Sequence, residues 1–368
     1  MNMLSYLIWN GNPDIFSIGP VTLRWYGLLF ALGFLISQQI LYYIFKTEGK
    51  PEKDVDTLTI YMVVATIIGA RLGHVFFYEP ARYLANPIDI FKVWEGGLAS
   101  HGAAAGILFA LWLYARKHKP GQNYLQTLDR IVILVALTGA LIRMGNFFNS
   151  EILGQPTHAA TGIVFTRNVA EILERDTYID QVSFAKGDGQ ANELGYPALK
   201  ILIEFNRDKQ NPAELEAFIT SRVFDRLVNN RYVIEHISQL SDIQYKLGQD
   251  ESNRWVAIIS THGIPRHPAQ LYESFSCLLL AALLFWLWYR KKNNLPQGQL
   301  FGIFLIVCFG LRFVYEYLKE VQVPEEIDFI AKYGMNYGQL YSIPLVLAGF
   351  VVLWLSFRNA GKPANENN

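Results

Sequence analysis

Long blocks of apolar residues, separated by short charged stretches, narrow the folds open to this 368-residue chain more than any other feature. A helix rises about 1.5 Å per residue, so about 20 apolar residues cross the hydrocarbon core of a bilayer. Seven segments have that length and character: residues 25–45, 58–78, 97–115, 131–148, 268–289, 298–318 and 339–357. Hydrophobic residues make up 51% of the chain, and it is their gathering into blocks that points to lipid. The formal net charge is zero, so nothing favours nucleic acid as a partner. Cys277 and Cys308 each lie inside an apolar block, which suits buried thiols and not a disulfide framework.

The short loops are unequal in Lys and Arg. Lys46, Lys50 and Lys53 follow the first segment, and Arg116, Lys117, Lys119 and Arg130 the third. Arg290, Lys291 and Lys292 follow the fifth, and Arg358 and Lys362 the seventh. The alternate short loops carry Arg82 and Lys92 in one case, Lys319 and Lys332 in the other. Basic short loops stay in the cytoplasm. The expected form is therefore an all-α polytopic membrane protein with seven transmembrane helices, its N-terminus outside and its C-terminus cytoplasmic, carrying a small α+β extracytoplasmic domain. The expected divisions are an N-terminal membrane half over residues 1–154, that domain over 155–262 and a C-terminal membrane half over 263–368. Residues 79–96 and 319–338 are expected to form outer arms lying on the membrane.

Residues 155–262 hold 11 Lys/Arg and 15 Asp/Glu. A loop of this length translocates largely regardless of its charge. β-like runs at 162–166, 199–205 and 254–260, with an amphipathic helix over 212–229 opened by Asn211-Pro212, give it a mixed character. Its charged composition predicts that residues 176–250 are separable from chemistry in the membrane.

Ionisable residues within spans are costly and mark function more often than accident. The densest set closes the fourth segment, where Arg143, Asn146, Asn149 and Glu151 follow an apolar run from Ile131 to Ile142. In the expected topology Arg71, His74, Arg312 and Glu316 fall late in outward-running segments. Arg24, Tyr26, His101 and Glu273 fall early in inward-running ones. All then lie in the outward half. Each also has a plainer explanation. Arg24 and Arg71 can snorkel to the headgroups. Arg312 and Glu316, four residues apart, can pair with each other. His101 can be a satisfied core histidine, His74 a packing residue, and Glu273 a tie at a loop-to-helix junction. The strip Gly102-Ala103-Ala104-Ala105-Gly106 most simply means close helix packing. Taken singly, these explanations leave a cluster of cations at one depth without a shared reason.

Guanidiniums at headgroup depth make an anion site, because the planar fork donates two parallel hydrogen bonds to a phosphate. Asn146, Asn149 and Tyr26 suit glycerol or ester oxygens, and His101 can take a proton near neutral pH. No Ser-His-Asp or Cys-His set with a plausible nucleophile is visible, and no metal-ligand spacing appears. These residues point to an enzyme that acts on a phospholipid of the outer leaflet and passes one part of it to a nucleophile from a second substrate. A transporter of anions or lipid-linked solutes stays open as a rival. Against it stand the one-sided depth of the polar set and the lack of an evident repeat. A membrane scaffold whose outer domain binds partners is a third reading.

The stretch Arg143-Met144-Gly145-Asn146-Phe147-Phe148-Asn149-Ser150-Glu151-Ile152-Leu153-Gly154 resembles the signature of the bacterial prolipoprotein diacylglyceryl transferase family. So do Arg24-Trp25-Tyr26-Gly27-Leu28 and Trp94-Glu95-Gly96-Gly97-Leu98-Ala99-Ser100-His101-Gly102. Pro265-Arg266-His267-Pro268-Ala269-Gln270-Leu271-Tyr272-Glu273, Gly338-Gln339-Leu340-Tyr341-Ser342-Ile343-Pro344, and Arg312 with Glu316 are similar too, in the same order. The resemblance implies a seven-span enzyme of the bacterial inner membrane with its site facing the periplasm. It would move the diacylglyceryl group of phosphatidylglycerol to the lipobox cysteine of a preprolipoprotein, forming a thioether and releasing glycerol phosphate. Carried over by position, Arg143 holds the phosphate, Arg312 assists the leaving group or lines the cavity, and His101 is the candidate base for the thiol. Tyr26, Asn146, Glu151, Gly154, Arg266 and Glu316 shape the substrate site. The implied partners are phosphatidylglycerol, preprolipoprotein signal peptides and the lipid bilayer, with no metal and no cofactor. The chain departs from the family's pattern at Ile142, where Gly ordinarily precedes the Arg, at Cys308, in place of a Tyr, and in the length of 155–262.

Overall fold

The computed structural model describes residues 6–19, 21–92, 96–238, 243–321 and 325–360. Trp94 and Glu95 of the third motif, and Lys362, lie outside the described residues. In chain order the elements begin with strands β1 (Leu7–Trp9), β2 (Asp14–Ile18) and β3 (Val21–Arg24). Helices α1 (Trp25–Thr47), α2 (Lys53–Phe77), α3 (Pro80–Ala85), α4 (Ser100–Ala115) and α5 (Tyr124–Phe148) follow. Then come β4 (Ile163–Phe165), α6 (Arg167–Glu174), β5 (Ile179–Lys186), β6 (Ala198–Phe205), α7 (Pro212–Phe218), α8 (Phe224–Asn229), α9 (Arg231–Ile234), β7 (Gln244–Gln249), β8 (Trp255–His262) and β9 (Pro265–Arg266). The chain ends with α10 (Ala269–Lys291), α11 (Gln299–Tyr315), α12 (Glu325–Tyr333) and α13 (Tyr337–Ala360).

Five of these helices, α1, α2, α5, α10 and α13, are long and apolar enough to cross a membrane. The apolar α4 and α11 are shorter, at 16 and 17 residues. Each foreseen segment is thus helical over most of its length, but the third starts late and the sixth ends early. The third starts at Ser100 because Gly96 and Gly97 sit at φ 88° and 69°, outside the helical region. The sixth stops at Tyr315. Apolar side chains face outward along α13, where Leu347 and Trp354 are each 59% exposed. A continuous apolar exterior of this kind suits lipid and not water.

The chain forms two compact units. One comprises Phe30–Leu141, Phe275–Phe313 and Tyr337–Asn368. Its core includes Ile44, Leu58, Leu111, Ile133, Leu284, Trp288 and Leu300. Here α2 and α4 meet through glycine. A Cβ on Gly102 would stand 2.2 Å from the Gly69 carbonyl oxygen, and one on Gly106 would stand 2.6 Å from that of Ala65. Only hydrogen fits there, so the small-residue strip is a packing surface. Three carboxylates are tied down at helix ends. Glu48 meets Arg130 at 2.7 Å, Lys50 at 2.6 Å and the Trp288 indole at 2.7 Å. Asp54 pairs with Lys119 and accepts from Gln122 at 2.8 Å. Asp129 accepts from the Gly298 and Phe301 amides at 2.7 and 2.8 Å, satisfying donors that the start of α11 leaves open. Lys50, Lys119 and Arg130, which the sequence presents as loop charges, are thus also counter-ions of buried carboxylates.

Arg71 belongs to the same unit and is buried. Its guanidinium donates to the carbonyls of Ile90 at 2.8 Å, of Gly96 at 2.6 Å and of Asp89, and lies over the Tyr83 ring. It fastens Asp89, Ile90 and Gly96 to α2 instead of snorkelling. Arg24, in the other unit, is exposed and pairs with Asp14 at 3.0 Å across the β2–β3 hairpin.

That second unit comprises Met1–Leu29, Ile142–Ser274 and Val314–Asn336. An antiparallel sheet in the order β5-β6-β8-β7 packs its inner face on α6, α7 and α8. In β6 burial alternates strictly, with Leu199, Ile201, Ile203 and Phe205 inward, as a half-covered strand requires. Asn211 caps α7 by accepting from the Ala213 amide at 3.2 Å, with Pro212 in the first turn. A π turn over Ile219–Val223 divides the expected 212–229 helix into α7 and α8. A second sheet, in the order β1-β4-β9, joins the chain start to the region before α10. It sets Ile163 opposite Arg266.

Candidate active site

The site is built where α5 ends. Gly145 lets Tyr26 pack directly on the helix, since a Cβ there would meet the Tyr26 ring at 2.8 Å. Trp9 packs on Phe147 and Trp25 stacks on Phe148, with ring centres 4.3 and 5.0 Å apart. These contacts fix the azimuth of the last two turns of α5. They thereby fix the direction of Arg143 and Asn146.

Beyond Phe148 the chain makes a strained turn. Ser150 and Ile152 take φ of 51° and 56°, the left-handed region that a β-branched residue rarely enters. Glu151 stands between them and is held from three sides. Its carboxylate accepts from Asn146 Nδ2 at 2.7 Å and Asn149 Nδ2 at 3.1 Å, and its carbonyl accepts from Gln270 Nε2 at 2.6 Å. Such clamping is what keeps strained backbone in place, and strain of this kind gathers at functional sites.

Arg143 is partly buried. Its Nε meets Glu273 Oε2 at 2.5 Å, and its Nη1 donates to Asn146 Oδ1 at 3.4 Å. Glu273 also meets Lys319 Nζ at 2.5 Å through its other oxygen. Lys319 Nζ in turn donates to Glu316 at 3.1 Å, and Glu316 accepts from Asn336 Nδ2 at 3.3 Å. A line of alternating charge thus runs from Arg143 through Glu273 and Lys319 to Glu316.

Backbone pairing holds this line together. Gly154 donates to the His267 carbonyl at 3.0 Å, Gln155 to that of Leu318 at 2.7 Å, and His267 to that of Gln155 at 3.1 Å. Three distant segments so meet side by side. Gly154 is needed at the crossing, because a Cβ would fall 2.5 Å from the His267 carbonyl oxygen and 2.8 Å from that of Leu318. Arg266 locks the crossing. Its Nη1 donates to the Gly154 carbonyl at 3.1 Å and to Glu320 at 2.8 Å, while Nε and Nη2 donate to the Glu235 carbonyl at 2.9 and 2.6 Å. Its side chain is 3% exposed, so this guanidinium spends its donors on protein oxygens. His267 is half-buried, and burial pushes its imidazole pKa down.

Tyr26, Arg143, Asn146, Glu151, Gly154, Arg266 and Glu316 therefore belong to one unit. His101 and Arg312 belong to the other. His101, the second residue of α4, is exposed and lies edge-on to Phe77 at 5.1 Å. Arg312 is exposed in the last turn of α11. Glu316, past the end of that helix, pairs with Lys319. Sequence reasoning missed Lys319 and Gln270 as site residues. Lys319 reads as an ordinary loop charge, because its two carboxylate partners come from a residue three positions away and another 46 positions away. Gln270 lies inside a recognised motif but has no charge to single it out.

The sequence model of the family described as Prolipoprotein diacylglyceryl transferase matches residues 13–355. The phosphatidylglycerol–prolipoprotein diacylglyceryl transferase of Tolumonas auensis is 34% identical over 356 residues, covering 97% of this chain and 100% of its own. The protein of the same name from Chloroherpeton thalassium is 33% identical over 360 residues, covering 98% of each chain. That from Porphyromonas gingivalis is 33% identical over 368 residues, covering 100% of this chain and 99% of its own. These matches run the full length, the long 155–262 region included. The chain belongs to the prolipoprotein diacylglyceryl transferase family.

Proposed function

We propose that this protein transfers the diacylglyceryl group of phosphatidylglycerol to the lipobox cysteine of preprolipoproteins, the first step of lipoprotein maturation. The full-length match to transferases of that name carries the proposal. In the reaction the cysteine sulfur forms a bond to C3 of the diacylglycerol moiety, and the bond from that carbon to the phosphate oxygen breaks. Glycerol phosphate leaves with the electron pair, and the thiol proton passes to a base. Negative charge grows on the leaving phosphate, and a fixed cation beside it lowers the barrier. A thiol is mostly protonated at neutral pH, so a positive field also favours the attacking thiolate.

Arg143 is the phosphate ligand in this account. Among the described residues its partners engage Nε and Nη1, which leaves Nη2 for an anion. Asn146, Glu151 and Tyr26 line the glycerol and ester side, and Gly154 and Arg266 hold the crossing beneath them. Glu316 belongs to the same charged line. His101 as base for the thiol and Arg312 as a second cation for the leaving group rest on the family match. The protein spans the bacterial inner membrane seven times, with residues 155–262 and the site on the periplasmic side. The five long helices and the Lys/Arg asymmetry of the short loops support that arrangement.

Replacing Arg143 tests the proposal. Lys keeps a charge but loses the fork, and a charge-assisted hydrogen bond contributes about 1.5–3 kcal/mol, so transfer by Arg143→Lys should slow about 10- to 100-fold. Arg143→Ala should be slower still, with folding and membrane insertion retained. A snorkelling Arg predicts the opposite, because Lys snorkels equally well. Near-wild-type turnover of purified Arg143→Lys would remove Arg143 from the phosphate site.

A further inference from the structure

Lys319 is a buried cation that neither the sequence motifs nor the reaction scheme uses. Its side chain is 6% exposed. It is fixed in place by its own backbone, which bridges to Gly154 and accepts from Gln155 Nε2 at 3.2 Å. Two carboxylates converge on its ammonium, Glu273 at 2.5 Å and Glu316 at 3.1 Å. One of them, Glu273, uses its other oxygen to hold Nε of Arg143. Two carboxylates that share one point repel each other, and so change orientation, once the cation between them is gone. Glu273 would then turn away from its like-charged neighbour, and Arg143 would lose the contact that aims its fork.

We propose that Lys319 is a positioning residue for the transfer reaction, which acts through Glu273 to orient the Arg143 guanidinium toward the lipid phosphate. The inference rests on the reading of Arg143 as the phosphate ligand. Lys319 does not touch substrate in this scheme. It sets the charge and direction of the carboxylate that does the holding, and the Gly154 crossing locked by Arg266 sets the position of Lys319. The structure also says why a cation is needed and not merely a spacer. Glu273 comes from α10 and Glu316 from the turn just past α11, and the ammonium is a partner of both.

The test is steady-state transfer by the purified full-length protein, with phosphatidylglycerol in mixed micelles and a synthetic lipobox peptide, each varied in turn. Lys319→Met should raise KM for phosphatidylglycerol at least fivefold and lower kcat about tenfold or more, while KM for the peptide stays within twofold. Lys319→Arg should recover activity to within about threefold of wild type. Adding Glu273→Gln to Lys319→Met should make the enzyme no slower, because the stranded carboxylate is removed. A purely structural role would lower the amount of active enzyme, and so kcat, without a selective rise in KM for the lipid. Should Lys319→Met fail to fold, Lys319→Gln, which keeps a donor and drops the charge, carries the same expectations. The inference is overturned by an unchanged KM for phosphatidylglycerol, by losses that multiply in the double variant, or by Lys319→Arg being as impaired as Lys319→Met. A wild-type protein that transfers nothing would instead sink the functional reading, and this inference with it.

Discussion

The guanidinium of Arg143 spends Nε on Glu273 and Nη1 on Asn146, a division that, in the proposed reaction, lets one residue both hold the fold and face the phosphate. The motif around it was legible in the sequence because Arg, Asn and Glu stand out at the end of an apolar run. Their partners were less so. Glu273 reads as a junction tie until Arg143 is found on it, and Lys319 reads as a loop charge until its burial is seen. A second buried group carries a testable consequence. His236 Nε2 accepts from Asn168 Nδ2 at 3.1 Å, and burial first, then the Arg266 charge, pushes its pKa down to about 3. An unfolded histidine titrates near about 6.5, so between about pH 6.5 and about 3 the unfolded chain binds a proton that the folded one refuses. Stability is therefore full above about pH 6.5 and falls by about 1 kcal/mol per pH unit below it. Thermal unfolding of the purified protein between about pH 7 and about pH 4 should show a shallower decline in His236→Gln than in wild type. Equal slopes would mean that His236 is protonated in the folded state.

At the scale of elements, long apolar blocks identify the helices, whereas caps and glycines, which hydropathy does not see, decide their boundaries. Gly96 and Gly97 delay the start of α4 by their backbone angles, which hydropathy does not register. The strands β6 and β8 were visible as β-like runs, whereas β5 and β7 are polar on one face and short of the branched residues that mark a strand. The expectation that residues 176–250 are separable from the site meets one specific obstacle. The Glu235 carbonyl, inside that stretch, receives two donors of Arg266, and Arg266 holds Gly154. Composition could not show a link made through a backbone oxygen. Helix packing yields its own prediction. Because Gly102 and Gly69 meet backbone to backbone, Gly102→Ala has no flexible atom to displace and should cost about 1–3 kcal/mol. Gly310, which has open space around it, is the control. Melting midpoints should fall by several degrees for the first variant and stay unchanged or rise for the second, and equal midpoints would contradict the close approach.

Across the whole molecule, the order of motifs along the chain carries the family assignment, and the Lys/Arg asymmetry of the short loops is the ground for the proposed orientation. Single cysteines at Lys117 and Lys291 should be protected from a membrane-impermeant thiol reagent in intact spheroplasts, and those at Asp188 and Glu326 should be labelled. Protection of position 188 would refute the arrangement. The sequence could not reveal how segments near residues 154, 267 and 319 meet, because that meeting depends on backbone pairing between stretches more than 50 residues apart. The central claim is the chemistry itself. It is tested most directly by mass spectrometry of a lipobox peptide after incubation with the purified protein and phosphatidylglycerol of defined acyl chains. The account predicts a peptide heavier by one diacylglyceryl group, attached at the cysteine sulfur, with glycerol phosphate released in equal amount. An unmodified peptide in the presence of folded protein would contradict it.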